Sequence, residues 1–167
     1  VKGLITGMPK EIATFGSELK ELRRQHAETE IDLTVTRTWK PTHGKDWSNA
    51  WCRFYADAFV DYGEDAVVID YKSGRIYEND HEQQGKLGAI CAMAHYPELK
   101  TVEVEFWYFD QHETLTWIYE RSEFEGLKKY WEKEVKQLFR DKNFKPNPGD
   151  ACRWCPYSKA KGGPCEY

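Results

Sequence analysis

Asp70-Tyr71-Lys72 closes the apolar run Ala66-Val67-Val68-Ile69. An acid and a base two residues apart on a strand point to the same face. Placing them behind an apolar run is costly unless they neutralise a charge or carry out chemistry. A second acid, Asp57, lies in the preceding apolar stretch, Trp51 to Tyr62. A reversal at Gly63-Glu64 pairs the two stretches antiparallel with residue numbers summing to 127, which sets Asp57 opposite Asp70. Their Cβ atoms then lie about 5 Å apart. Two facing carboxylates repel, and a divalent cation between them relieves the repulsion. The pattern predicts a metal site with an adjacent lysine.

The rest of the chain is organised around this pair. Pro9 opens a helix carrying Ile12, Phe15, Leu19, Leu22 and His26 at helical spacing. Alternating β-branched residues predict a strand over Glu30–Trp39, followed by strands at Trp51–Tyr62 and Ala66–Lys72. A helix over about His81–His95 is closed by Pro97. Strands Thr101–Phe109 and Thr114–Tyr119 form a hairpin, and an amphipathic helix covers about Glu123–Arg140. The expected order is α-β-β-β-α-β-β-α, an α/β fold with a mixed sheet flanked by helices. At 167 residues the chain is expected to form one domain over 1–167, with a core at 9–145 and a cysteine-bearing tail at 146–167.

Magnesium takes oxygen ligands, commonly one or two carboxylates with water and substrate phosphate. Asp57, Asp70 and the Tyr71 carbonyl supply such a set, and Lys72 is placed to orient or deprotonate a water or to stabilise charge on phosphate. An exposed strand-end ion pair is the bland alternative for Asp70 and Lys72. The register with Asp57 favours the site.

Ala56-Asp57, then Asp70-Tyr71-Lys72-Ser73-Gly74, then His81-x-x-Gln84 on a helix resembles the PD-(D/E)XK nucleases. Within them the chain is most similar to the RecB-like exonuclease branch, with its phage and CRISPR-associated members. The resemblance covers roughly Gly16 to Cys165. It implies an αβββαβ core, like that of restriction endonucleases, and Mg²⁺- or Mn²⁺-dependent hydrolysis of DNA. It also implies Asp57, Asp70 and Lys72 as the central catalytic set; Gln84, on a helix stripe with Leu87 and Cys91, is a further catalytic candidate, with capping or backbone bonding as its alternative. The family's helix motif, Gln-x-x-x-Tyr, departs here: Gly88 stands where the tyrosine is expected. RecB-like members carry Gly-x-x-x-His on the first helix, whereas this chain has Gly16-Ser17-Glu18-Leu19-Lys20. Glu18 is the expected metal-binding acid there, with Glu21, His26 and Glu30 as alternatives.

Five cysteines do not suggest a disulfide framework, and a reducing cytoplasm is expected, in a bacterial or phage-infected cell. Cys152-x-x-Cys155 has the spacing of a metal-binding pair. With Cys165 it resembles the cysteine group that holds an iron–sulfur cluster in RecB-like nucleases. A cluster or Zn²⁺ site, a relic of one, and free thiols in a packed tail remain open. Cys52 and Cys91 read as small buried hydrophobes.

The net charge is −4, but residues 121–167 carry 11 Lys/Arg against 7 Asp/Glu. Such a segment can present a basic surface to phosphate or simply form a solvated helix face. Trp39, Lys40, Lys45 and Trp47 form an aromatic–basic loop suited to stacking on bases and touching backbone; covering a sheet edge is the alternative. No apolar stretch is long enough to span a bilayer, and no signal-peptide pattern opens the chain. Val1 in place of Met leads us to expect further sequence upstream.

The expected function is a DNA exonuclease acting on ends, single-stranded ones among the candidates, in replication, recombination or repair, beside a helicase or recombinase. An endonuclease of the same fold and a non-catalytic DNA-binding module are the alternatives.

Overall fold

The computed structural model describes residues 10–143 and 145–167, so Pro9 lies outside the described residues. Two compact units emerge, one ending at Glu132 and the other spanning Lys133–Tyr167.

The first unit opens with two short helices where one was expected, α1 (Lys10–Ala13) and α2 (Gly16–Arg24). The Thr14 hydroxyl donates to the Glu11 carbonyl at 2.6 Å, a local bond that competes with helix continuation. Phe15 leaves helical geometry, and its ring stacks on Trp107 with centroids 5.4 Å apart. Burial of one aromatic thus breaks the helix.

The strands are β1 (Glu28–Asp32), β2 (Val35–Thr36), β3 (Ala50–Cys52), β4 (Tyr55–Asp61) and β5 (Asp65–Lys72). Helix α3 (Glu78–His95) leads to β6 (Thr101–Tyr108) and β7 (Glu113–Glu120), and α4 (Phe124–Arg140) follows a 3₁₀ turn. The expected strands Glu30–Trp39 and Trp51–Tyr62 are each split in two. β1 and β4 join the main sheet, while β2 and β3 pair in a sheet of their own. The splits coincide in space: the Leu33 amide donates to the Phe54 carbonyl at 2.8 Å, and both side chains are buried. The apolar alternation carries straight through this corner, so it gives no sign of the bend.

The main sheet runs β1-β4-β5-β6-β7. All neighbours are antiparallel except β5 and β6, which are parallel and need α3 as their crossover. Ala66 and Val68 pack with Val102, Val104, Phe106 and the α3 residues Ala89–Met93. On the opposite face Val67, Ile69 and Tyr71 pack with Phe15, Leu19, Leu22 and Trp107. Each fully buried aliphatic side chain contributes about 1.5–3 kcal/mol. The result is the mixed sheet flanked by helices that the sequence predicts. Among the described residues no helix is long and apolar enough to cross a membrane.

The second unit holds the end of α4 and two 3₁₀ turns, Asp150–Arg153 and Lys159–Lys161. It closes on itself: the Lys159 amide donates to the Tyr167 carbonyl at 2.9 Å, and the Cys165 amide to the Tyr157 carbonyl at 3.0 Å.

Candidate active site

Strand alternation sends Asp70 and Lys72 to the α3 side of the sheet, in line with Ala66 and Val68. Asp70 is only 8% exposed. Its carboxylate pairs with the Lys72 ammonium at 2.7 Å and accepts from Gln84 Nε2 at 2.7 Å. Gln84 Oε1 in turn accepts from Lys72 Nζ at 2.9 Å. Three side chains from β5 and α3 thus close a ring of bonds. Burial is the largest influence on Asp70 and raises its pKa. The Lys72 pairing opposes that rise, and the charge of Asp57 reinforces it.

Asp57 sits where two ladders lapse. The β4–β5 register runs from Asp61↔Ala66 to Ala58↔Ile69, and its continuation sets Asp57 opposite Asp70. Here the Asp57 carboxylate, rather than a backbone carbonyl, accepts the Tyr71 amide at 2.6 Å. On the other side, β1 pairs Thr29↔Ala58 and Ile31↔Ala56 but skips Glu30, whose φ is +55°. A non-glycine residue in that region marks a local irregularity. The kink falls where the acid leaves the ladder. Lys72's carbonyl accepts from the Phe109 amide at 3.1 Å, on the β6 side. Strand alternation therefore turns the Tyr71 carbonyl, like its amide, toward Asp57.

Asp57, Asp70 and the Tyr71 carbonyl fit a divalent cation on the chemistry of their donors: hard oxygens, two of them charged, and one carboxylate held in a costly buried position. Among the described residues no group of three or more His, Cys, Asp and Glu side chains is assembled to hold a metal. The first-helix acids accordingly stand apart from this set. Glu18 is exposed on α2, accepts the Ser17 hydroxyl at 2.8 Å, and borders a cleft of about 420 Å³. That cleft is lined by Val67, Ile69, Glu105 and Trp107, on the face of the sheet away from Asp70. Glu21 pairs with Arg24 at 2.7 Å, and Glu30 is exposed.

Among the described residues the tail cysteines form no group of three or more metal-ligating side chains. Cys152, Cys155 and Cys165 are free, half-buried thiols, and they are not gathered into a ligand group. Cys152 Sγ accepts from the Gly149 amide at 3.4 Å, and local backbone bonds order the turn.

Trp39, expected to stack on bases, is buried: its indole N–H donates to Glu132 at 3.1 Å and its ring meets Trp51 edge-on at 5.0 Å. The edge-covering alternative is the one adopted. Lys40 and Lys45 are exposed, and Trp47 is 78% exposed under the Arg53 guanidinium, 3.7 Å from the ring centre. Arg53 gave no sign in the sequence, because its partner lies across a bend.

Gly88 has a steric reason. A Cβ there would lie 2.6 Å from the tip of the buried Phe54 ring, so Phe54 occupies the space a side chain would need. Gly88→Ala is expected to destabilise the protein by about 1–3 kcal/mol through overpacking, despite alanine's better helix propensity. A lower urea midpoint at unchanged slope checks this, and Phe54→Leu should restore part of the loss.

Sequence reasoning left His81, Phe106 and Tyr108 without roles. Lys72 pairs in register with Tyr108 across the parallel strands. Tyr108's hydroxyl bonds His81 Nδ1, and the His81 ring stacks on Phe106 at 5.4 Å. No spacing rule links positions joined through a crossover helix.

A family model described as the PD-(D/E)XK nuclease superfamily matches residues 8–160. Among curated proteins none matches the chain at a significant level. The crystal structure of SSO0001 aligns over 88% of this chain at 15% identity with a TM-score of 0.46. The chain spans 65% of that protein's length.

Proposed function

The chain belongs to the PD-(D/E)XK nuclease superfamily, and from that membership we propose that it is a divalent-metal-dependent DNA exonuclease of the RecB-like type, acting at DNA ends. The observation that carries the reading is the bonded ring of Asp70, Lys72 and Gln84 with Asp57 beside it. Asp57, Asp70 and the Tyr71 carbonyl would hold a Mg²⁺ or Mn²⁺ ion, which would supply Lewis acidity toward a phosphodiester and acidity to water.

The chain's own groups have separate tasks. Asp57 ties its carboxylate to the Tyr71 amide, so one oxygen is fixed and the other is free to bind. Gln84 holds Asp70 and Lys72 at a set distance, which keeps the ammonium beside the position of the reacting phosphate. Lys72 stabilises charge building on phosphoryl oxygens and orients the attacking water. The apolar strands behind the site exclude bulk solvent and strengthen these interactions.

Incubation with Mn²⁺ and either end-labelled linear DNA or covalently closed circles tests the reading. Progressive loss of linear DNA with intact circles is expected, and chelation of the metal should stop it. Cutting of circles would make the protein an endonuclease, and an absence of metal-dependent hydrolysis would remove the reading altogether.

A further inference from the structure

His81 lies three residues before Gln84 on α3, on the same side of the helix. Its imidazole rests on Phe106, with 5.4 Å between centroids and 21° between planes. Lys72 Nζ lies 5.3 Å from the centre of that same Phe106 ring. One aromatic side chain therefore carries both nitrogen groups. Tyr108 is fully buried on β6, in register with Lys72, and its hydroxyl meets His81 Nδ1.

We propose that His81 is a second phosphate-contacting residue of this site, a neutral N–H donor beside Lys72 whose tautomer is set by Tyr108. The proposal deepens the nuclease reading and rests on it. A phenol that donates to Nδ1 leaves the proton on Nε2, the nitrogen free to meet a ligand. Tyr108 is suited to donating, because burial and the nearby Asp70 charge raise its pKa and keep it protonated. His81 is suited to neutrality: burial is the first cause lowering its pKa, and the Lys72 charge is the second. Asp70 and Asp80 oppose that lowering, and Tyr77 packs edge-on at 6.3 Å. Phe106 and Tyr108 face the ring from β6.

A neutral donor has a specific advantage here. It adds a hydrogen bond to a phosphate oxygen without placing a second cation against Lys72. At lower pH the imidazolium carries protons on both nitrogens, so Nδ1 can no longer accept from Tyr108. The bond to Tyr108 must then reverse, with Nδ1 donating to the phenol oxygen, and the charged ring is repelled by Lys72.

Steady-state cleavage of an end-labelled oligonucleotide by the full chain tests this with four single variants and one double. His81→Ala is expected to lower kcat about 10²-fold at unchanged KM, the usual effect of losing one preorganised donor. His81→Gln, whose amide reaches the Nε2 position, should keep kcat within about tenfold of wild type, whereas His81→Asn should match alanine. Wild-type kcat should also show a step below pH 6.5, the ordinary histidine value, that His81→Gln lacks. Tyr108→Phe should lower kcat in wild type and have no further effect on His81→Ala.

Equal activity of His81→Ala and wild type overturns the proposal, as does an equal effect of Tyr108→Phe in both backgrounds. A readout independent of turnover is the His81 ring signal in NMR during titration with a thymidine dinucleotide. Movement supports the contact even if cleavage is never observed, and an unmoved signal overturns it even in an active enzyme. Failure of the nuclease reading and failure of this inference are thus separable.

Discussion

Lys72→Ala is expected to fold normally and to lose metal-dependent cleavage by about 10³-fold. The loss has two sources. The ammonium that stabilises phosphoryl charge is gone, and Asp70 is left buried with only Gln84 as partner. Burial already raises the Asp70 pKa, with the Lys72 pairing opposing it. Without Lys72 the carboxyl protonates more readily and is a poorer ligand.

The sign of the stability effect follows. The native state holds the Asp70 proton to higher pH than the unfolded chain, whose reference value is 3.8. Stability therefore falls as pH rises from that value through the raised pKa, and the penalty persists above it. Asp70→Asn removes the buried charge. It is expected to melt no lower than wild type at neutral pH while being inactive. Mn²⁺ should stabilise the wild type, by about 2.7 kcal/mol at a hundred times its Kd, and leave Asp70→Asn unchanged. Paired calorimetry and cleavage assays check both halves. A destabilised Asp70→Asn protein, or an active one, contradicts the account.

The second large effect is on the fold. Arg121 follows β7, and its guanidinium donates to three carbonyls at the end of α3 and just beyond it: Met93 at 3.1 Å, Tyr96 at 2.8 Å and Leu99 at 2.7 Å. The last carbonyls of a helix have no partners within it. Arg121→Ala removes the guanidinium from all three; the Tyr96 carbonyl keeps the Leu99 amide at 3.2 Å, and each carbonyl left bare that water does not reach costs about 1–3 kcal/mol. A net loss of about 3 kcal/mol is expected, lowering Tm by roughly 10 °C for a chain of this size. Lysine at 121 cannot reproduce the fork and should recover less than half of the loss. Thermal melting of both variants measures it. Because α3 also carries Gln84, activity should fail at a correspondingly lower temperature.

Periodicity identified the main strands and α4, which present regular apolar faces, whereas α3, buried on all sides over Gly88–Met93, was placed by the Pro97 that follows it. Periodicity missed the bends at Phe15, Leu33 and Phe54, where a buried side chain overrides local alternation. The sum rule across the Gly63 turn set the register of β4 against β5, because a tight hairpin fixes pairing directly. Asp57, Asp70, Lys72 and Gln84 were legible because they lie within one hairpin and the helix that follows. Tyr108 and Arg53 were not, for their partners are reached through a crossover or around a corner. Trp39 misled because a loop aromatic between lysines looks the same in sequence whether it faces solvent or the core.

The parallel pairing of β5 with β6 has a further consequence. Lys72 and Tyr108 become neighbours only once α3 has crossed the sheet and β6 has docked. Long-range pairings of this kind form late, after the cost of closing the loop has been met. A chain in which β6 has not docked consequently lacks the lysine's aromatic seat on Phe106. Refolding from denaturant should return phosphodiester cleavage in the final kinetic phase alone, so an immature copy poses no hazard to nucleic acid nearby.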